Sequence, residues 1–241
     1  MGAALRGAIG AEWIKLWSIR STWWASVGAA VSMVGCAAVM GMDFAHDVEN
    51  GETTDGSTMA VGDPATNAVL LTQFAVVAIA MAVVTAEFGT GTIRATLAAD
   101  PRRGRVLFAK AVVVAAVTLP LGLVSALAGV GVGRPALGEH GVTESGAVAG
   151  DVAAIVAYLV LTALLTVGVG AMLRGSVATL SAILAVMLAL PMLFATPSTR
   201  WLPGSAGMDL LDGDAFAGFV LAAWVMAALL GGGWALRRRD V

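Results

Sequence analysis

The sequence predicts an all-α integral membrane protein with six transmembrane helices and both ends in the cytoplasm. Three observations carry the prediction: a composition too apolar for water, six long stretches without a charge, and a one-sided distribution of Lys and Arg. Apolar residues make up 59% of the 241 and charged residues only 12%, whereas soluble domains carry roughly 25% charge. So few charges cannot cover a globule in water, and the bilayer must be the solvent. The uncharged stretches are 22–42, 67–86, 111–133, 152–173, 177–195 and 216–236, and none of their positions is Asp, Glu, Lys, Arg or His. A helix of about 20 residues rises about 30 Å, the thickness of the hydrocarbon core.

Orientation follows from the segments that join these stretches. One side holds Arg6, Lys15, Arg20, Arg94, Arg102, Arg103, Arg105, Lys110, Arg174, Arg237, Arg238 and Arg239; the other holds only Arg134 and Arg200. Lys and Arg concentrate on the cytoplasmic side of membrane proteins, so the first side is assigned there. The chain thus reads as one transmembrane domain, 1–241, with N-in/C-in topology.

Residues 1–21 precede the first span. Leu5, Ile9, Trp13, Leu16 and Trp17 fall within an arc of about 120° at helical spacing, although Arg6 and Arg20 share that arc. The segment is expected as an interfacial helix on the inner leaflet, with Trp13, Trp17, Trp23 and Trp24 at the boundary. The plainer alternative is a flank that only sets the register of the first span. Met33 to Cys36 loosely resembles a lipoprotein cleavage box, but the apolar run continues to Met42, so an uncleaved span is expected. Cys36 is the single cysteine, which excludes an intramolecular disulfide.

The first external loop, 43–66, carries Asp43, Asp47, Glu49, Glu52, Asp55 and Asp63 without Lys or Arg, and is expected to be flexible and solvated. Its spacing lacks a calcium-loop pattern. His46 and His140 lie in separate external loops without companion ligands, so no metal site is expected.

The cytoplasmic loop 87–110 is the most informative stretch. It runs from Glu87 through Gly89, Gly91, Thr92 and Arg94 to Asp100-Pro101, then Arg102, Arg103, Arg105 and Lys110. Gly89 and Gly91 are expected to loosen the exit from the second span, and Thr92 to cap a short helix ending near Ala99. Asp100-Pro101 then stops that helix and starts the next. Topology alone accounts for the basic charge. It does not account for a separate short helix with punctuated ends, which is what a cytosolic partner would grip.

The last external segment, 196–215, sets Pro197, Pro203, Gly204 and Gly207 beside Trp201, Leu202, Met208, Leu210 and Leu211. It is either a re-entrant turn buried in protein or a loosely interfacial loop, and the residues leave both open. Within the spans, Gly129 and Gly133, Gly168 and Gly170, and Gly231 to Gly233 allow close helix packing. Packing inside the chain is the expectation, with a dimer seam as the alternative. Pro120 and Pro191 are expected to kink or end their helices.

Several functions are excluded. Ion-coupled carriers place ionisable groups at membrane depth, and the spans contain none, so a bundle without buried ionisable groups is expected. No acid, His or Lys is available there to activate Ser, Thr or Tyr158 for catalysis. The only lysines are Lys15 in Ile-Lys-Leu and Lys110 in Ala-Lys-Ala, and neither can belong to a P-loop. No His-rich, Cys-rich or basic tract points to a cofactor, a metal or nucleic acid.

Together these features resemble the permease subunit of ABC-2 type exporters, particularly short bacterial members encoded apart from their ATPase. The similarity extends from about Glu12 to Arg239: a Glu-x-x-Lys-Leu interfacial helix, six spans, and an apolar external segment before the last. Its most specific part is Glu87 with Gly-Thr-Ile-Arg, then Asp-Pro-Arg-Arg-Gly-Arg and Lys110. The long acidic external loop has no counterpart in that pattern. The resemblance implies a coupling helix within 88–100 that contacts a separate ABC ATP-binding subunit. Glu87, Gly89, Thr92, Arg94, Arg102, Arg103 and Arg105 are then candidate interface or hinge residues. It further implies a second permease protomer, identical or related, in a bacterial cytoplasmic membrane. Substrates in the family range over drugs, natural products, lipids and polysaccharides. The competing readings are a non-transporting membrane anchor that recruits a cytosolic partner, and an uncoupled channel or carrier.

Overall fold

The computed structural model describes residues 2–52, 57–99, 102–143, 146–194 and 197–238, and these are almost wholly helical. A first helix, α1 (Gly2–Ser18), leads into α2 (Arg20–Glu49), α3 (Asp63–Thr90), the short α4 (Ile93–Ala99), α5 (Arg103–Leu137) and α6 (Ala147–Leu173). The fifth crossing is composite: α7 (Ser176–Leu184), a π-helical turn (Ala185–Ala189) and α8 (Leu190–Leu193). A 3-10 turn (Pro197–Trp201), α9 (Pro203–Leu211) and α10 (Ala215–Arg238) complete the chain. Six of these segments are long and apolar enough to cross a membrane: α2, α3, α5, α6, the composite fifth and α10.

The centre is a trio of α3, α5 and α6. Around it, α2 packs on α3 and α5, α7 on α6 and α3, and α10 on α6 and α5. The crossings are close because small residues face each other. A Cβ on Gly168 would stand 2.5 Å from the Ala228 carbonyl carbon of α10, and one on Gly133 2.4 Å from the carbonyl oxygen of Val61 in the turn before α3. These glycines therefore serve packing within the chain.

The helices outrun the uncharged stretches at nearly every end. The expected solvated loop 43–66 is corrected most: α2 continues through Asp43, His46 and Asp47 to Glu49. No Gly or Pro interrupts 43–49, and the helix stops only at Asn50 and Gly51, whose φ of 70° lies in the left-handed region. Beyond it, Met59–Ala60 (β1) pairs in parallel with Gly141–Val142 (β2), tying together two connections at the end of the bundle opposite α4. At the other end, Gly89 is helical rather than a loosened exit, and Gly91, with φ 72°, ends α3. Pro120 lies inside an uninterrupted α5.

The π turn of the fifth crossing has a local cause. Pro191 has no N–H to donate back to Met187, and the displaced Met187 carbonyl lies against Gly204 of α9, where a Cβ would come within 2.3 Å. On the same face, one turn on, α9 sets Gly207 against the Tyr158 ring, 2.4 Å from a Cβ built there. Residues 203–211 are therefore a helix seated in protein, with Pro203, Gly204, Ala206, Gly207 and Leu211 buried. Beneath it the Tyr158 hydroxyl donates to Gln73 Oε1 at 2.8 Å, joining α6 to α3 in the interior.

Candidate functional site: a four-charge ring beside a short helix

The charged side chains of the α4 end converge. Helix α1 lays Ile9, Glu12 and Leu16 against the bundle, with Leu16 and Glu12 buried, while Trp13 and Ile14 face outward. The face packed on the bundle thus carries an acid and leaves Trp13 exposed. Glu12 meets Lys110 of α5 at 2.7 Å and Lys15 of its own helix at 2.9 Å. Lys15 in turn reaches Glu87 of α3 at 2.6 Å, and Lys110 lies 3.0 Å from Glu87. Two acids and two ammonium groups thus close a ring that joins α1, α3 and α5. Lys110 also donates to the Val83 carbonyl at 2.9 Å, and Thr96 of α4 donates to Glu87 at 3.4 Å.

The expectation of a bundle without buried ionisable groups is corrected here, since Glu12, Glu87 and Lys110 are all buried. The uncharged stretches end one residue short of Glu87 and begin one residue after Lys110, but the helices pass straight through those positions. An isolated charge there would cost several kcal/mol of desolvation; the ring offsets it by matching two positive with two negative charges. Burial alone pulls the Lys15 ammonium down, yet hydrogen bonds to Glu87 and Glu12 hold its pKa above the ordinary lysine value. A cleft of about 470 Å³ opens beside the ring, between the α1–α2 elbow, α3 and α4.

Beside the ring stands α4, which ends at Ala99 as expected from the sequence. Ile93 is buried and turns the helix onto the bundle, while Gly89, Thr92 and Arg94 are exposed. Thr92 shares a hydroxyl hydrogen bond with Thr90 at 2.9 Å. Asp100 and Pro101, expected to stop α4, lie outside the described residues, as does Arg239.

The remaining basic residues divide. Arg102 is exposed and Arg105 half-buried at the start of α5, whereas Arg103 donates through Nη1 to the Leu236 carbonyl of α10. Arg174, between α6 and α7, donates to the Ala235 carbonyl at 3.3 Å and stacks over the Phe88 ring at 5.5 Å. Its φ is 61°, the one positive value among described non-glycine residues. A side chain in that region costs of order 1–3 kcal/mol. Of the residues singled out in the sequence, Glu87 enters the ring while Gly89, Thr92 and Arg94 are exposed near it; Glu12, Lys15 and Lys110, its ring partners, and Arg174 were not singled out. One signal was available: equal numbers of Glu and Lys lie at one depth of one end of the bundle. Among the described residues no group of His, Cys, Asp and Glu is placed to hold a metal ion.

Fold and site together define a multi-pass membrane protein of the permease type. The chain belongs to the ABC-2 family transporter proteins, whose sequence profile matches residues 8–196. It is thus a membrane component of an ABC transporter, a transport part and not itself the catalyst. The match takes in α1 from residue 8 on, the ring and α4, and it stops before α9 and α10. Comparison with curated proteins finds no match.

Proposed function

We propose that the chain is the permease subunit of an ATP-driven exporter in a bacterial cytoplasmic membrane. It moves a hydrophobic or amphipathic substrate outward by alternating access. The observation that supports this reading best is the pairing of α4 with the ring. A short helix with an exposed Arg94 lies at the end of the bundle, and its Thr96 hydroxyl is hydrogen-bonded to Glu87 of the ring that joins the ends of three longer helices. With the basic end in the cytoplasm, α4 is the part a separate ABC ATP-binding subunit reaches. Closure of two such subunits on ATP pushes α4, and the ring passes the push to α1, α3 and α5 together. Removing one partner of a buried ion pair costs about 3–5 kcal/mol, so the three helix ends move as one body. Two permease protomers, identical or related, complete the unit, with the pathway between them.

The test is the purified complex in lipid vesicles. Arg94→Glu reverses the exposed charge without touching the ring, and is expected to reduce co-purification of the ATP-binding subunit by tenfold or more while membrane insertion is unchanged. Full association and full substrate-stimulated ATPase activity in that variant would contradict the docking role. An intact complex whose ATPase never responds to any amphipathic substrate would favour a membrane anchor.

A further inference from the structure

Resting on that reading, we propose that Arg174 and Arg103 are positioning residues that clamp the last helix to the coupling segment, so that α10 carries the push to the opposite end of the bundle. Two consecutive carbonyls of α10, those of Ala235 and Leu236, accept from guanidinium groups elsewhere in the fold, Arg174 and Arg103 respectively. Positive charge at a helix C-terminus also complements its dipole. Both arginines reach the coupling segment. Arg103 begins α5, the helix that follows α4, and Arg174 lies over Phe88 in the last turn of α3, next to Glu87. The backbone of Arg174 adopts the left-handed conformation that suits glycine, and Gly175 is its neighbour. Arginine occupies the strained position because its guanidinium is what bridges Phe88 to α10.

From the clamp, α10 runs the length of the bundle against α6, where Gly168 and Gly232 bring the two backbones into contact. At its far end Asp214 accepts the Phe216 N–H at 2.8 Å, and the connection through Asp212 and Gly213 leads into α9. Helix α9 packs along α10 and rests on Tyr158 and the π turn. Displacement of α10 along its axis therefore reaches α9 in the far half of the fold.

The experiment places spin labels at the exposed Glu139 and Asp212, as Glu139→Cys and Asp212→Cys in a Cys36→Ala background, in the complex with its ATP-binding subunit. Electron–electron distance distributions are recorded with and without ATP trapped by a hydrolysis-deficient partner. The otherwise unaltered pair is expected to shift on ATP binding. Arg174→Gly, which suits the backbone, and Arg103→Gln are each expected to abolish the shift, and the Arg174→Gly complex is expected to assemble and keep its basal ATPase activity. Arg174→Lys keeps a donor for the Ala235 carbonyl and is expected to retain the shift. A full shift in both Arg174→Gly and Arg103→Gln, or its loss in Arg174→Lys, overturns the clamp. No shift in the unaltered pair overturns the coupling reading itself, and the clamp with it.

Discussion

Lys110 Nζ lies 2.7 Å from Glu12 Oε2 across 98 positions of sequence, with both side chains almost wholly buried. The pair fixes where α1 sits on α5. Because Lys15 and Glu87 balance each other in the same ring, the charges can be removed in matched pairs.

Glu12→Gln or Lys110→Met alone leaves an uncompensated buried charge and is expected to lower stability by about 3–5 kcal/mol. The double variant removes one charge of each sign and leaves Lys15 paired with Glu87. Its loss is expected to fall short of the sum of the singles by at least about 1 kcal/mol. Denaturant titration of the purified permease in micelles reads all three, and simple additivity would show that the ring is not a unit.

Helix crossing is tested at Gly168. Gly168→Ala drives a methyl into the Ala228 backbone and is expected to cost roughly 1–3 kcal/mol. Gly35→Ala on α2 meets nothing within 4 Å and is expected to change stability little. Equal effects in the same unfolding assay would contradict the α6–α10 packing.

The seat of α9 is tested at Tyr158. Tyr158→Phe removes the donor to Gln73, a loss of about 0.6–1.7 kcal/mol for a hydrogen bond between membrane helices. Gly207→Ala, which meets the ring itself, is expected to cost more and to raise protease cleavage near residue 212. An unchanged cleavage pattern would mean that α9 is not seated on that ring.

Lys15 gives a pH dependence. Its native pKa lies above the ordinary value of 10.5, so on alkalinisation the unfolded chain releases the proton first. The stabilisation is complete below the unfolded value and is lost only as pH rises through the native one. Between about pH 7 and about pH 9 the stability difference between the native chain and Lys15→Met is therefore expected to stay flat. A slope in that window would show that Lys15 is not held by Glu12 and Glu87.

Six crossings and the short helix after Gly91 were legible in the sequence because each leaves a local signature: an uncharged run, or glycine and threonine at a boundary. The ring was not legible in that way. Glu12, Glu87 and Lys110 are far apart in sequence, and each alone reads as an ordinary flank of a span. Only packing of α1 against α3 and α5 makes them neighbours. The helical continuation to Glu49 was hidden by charge, since acids mark the end of a membrane segment without marking the end of a helix. Segment 196–215 stayed open because its seat is built from distant Tyr158 and Met187. Arg103 was grouped with Arg94 by proximity in sequence, yet it faces α10.

The central claim is that α4 is the surface a separate ATP-binding subunit touches. A photo-activatable side chain at position 94, compared with one at Glu139 at the other end of the bundle, tests it in the intact complex. The account predicts a covalent adduct between permease and ATP-binding subunit from position 94 and none from position 139. An adduct from 139, or none from 94 in a complex that hydrolyses ATP, would contradict it.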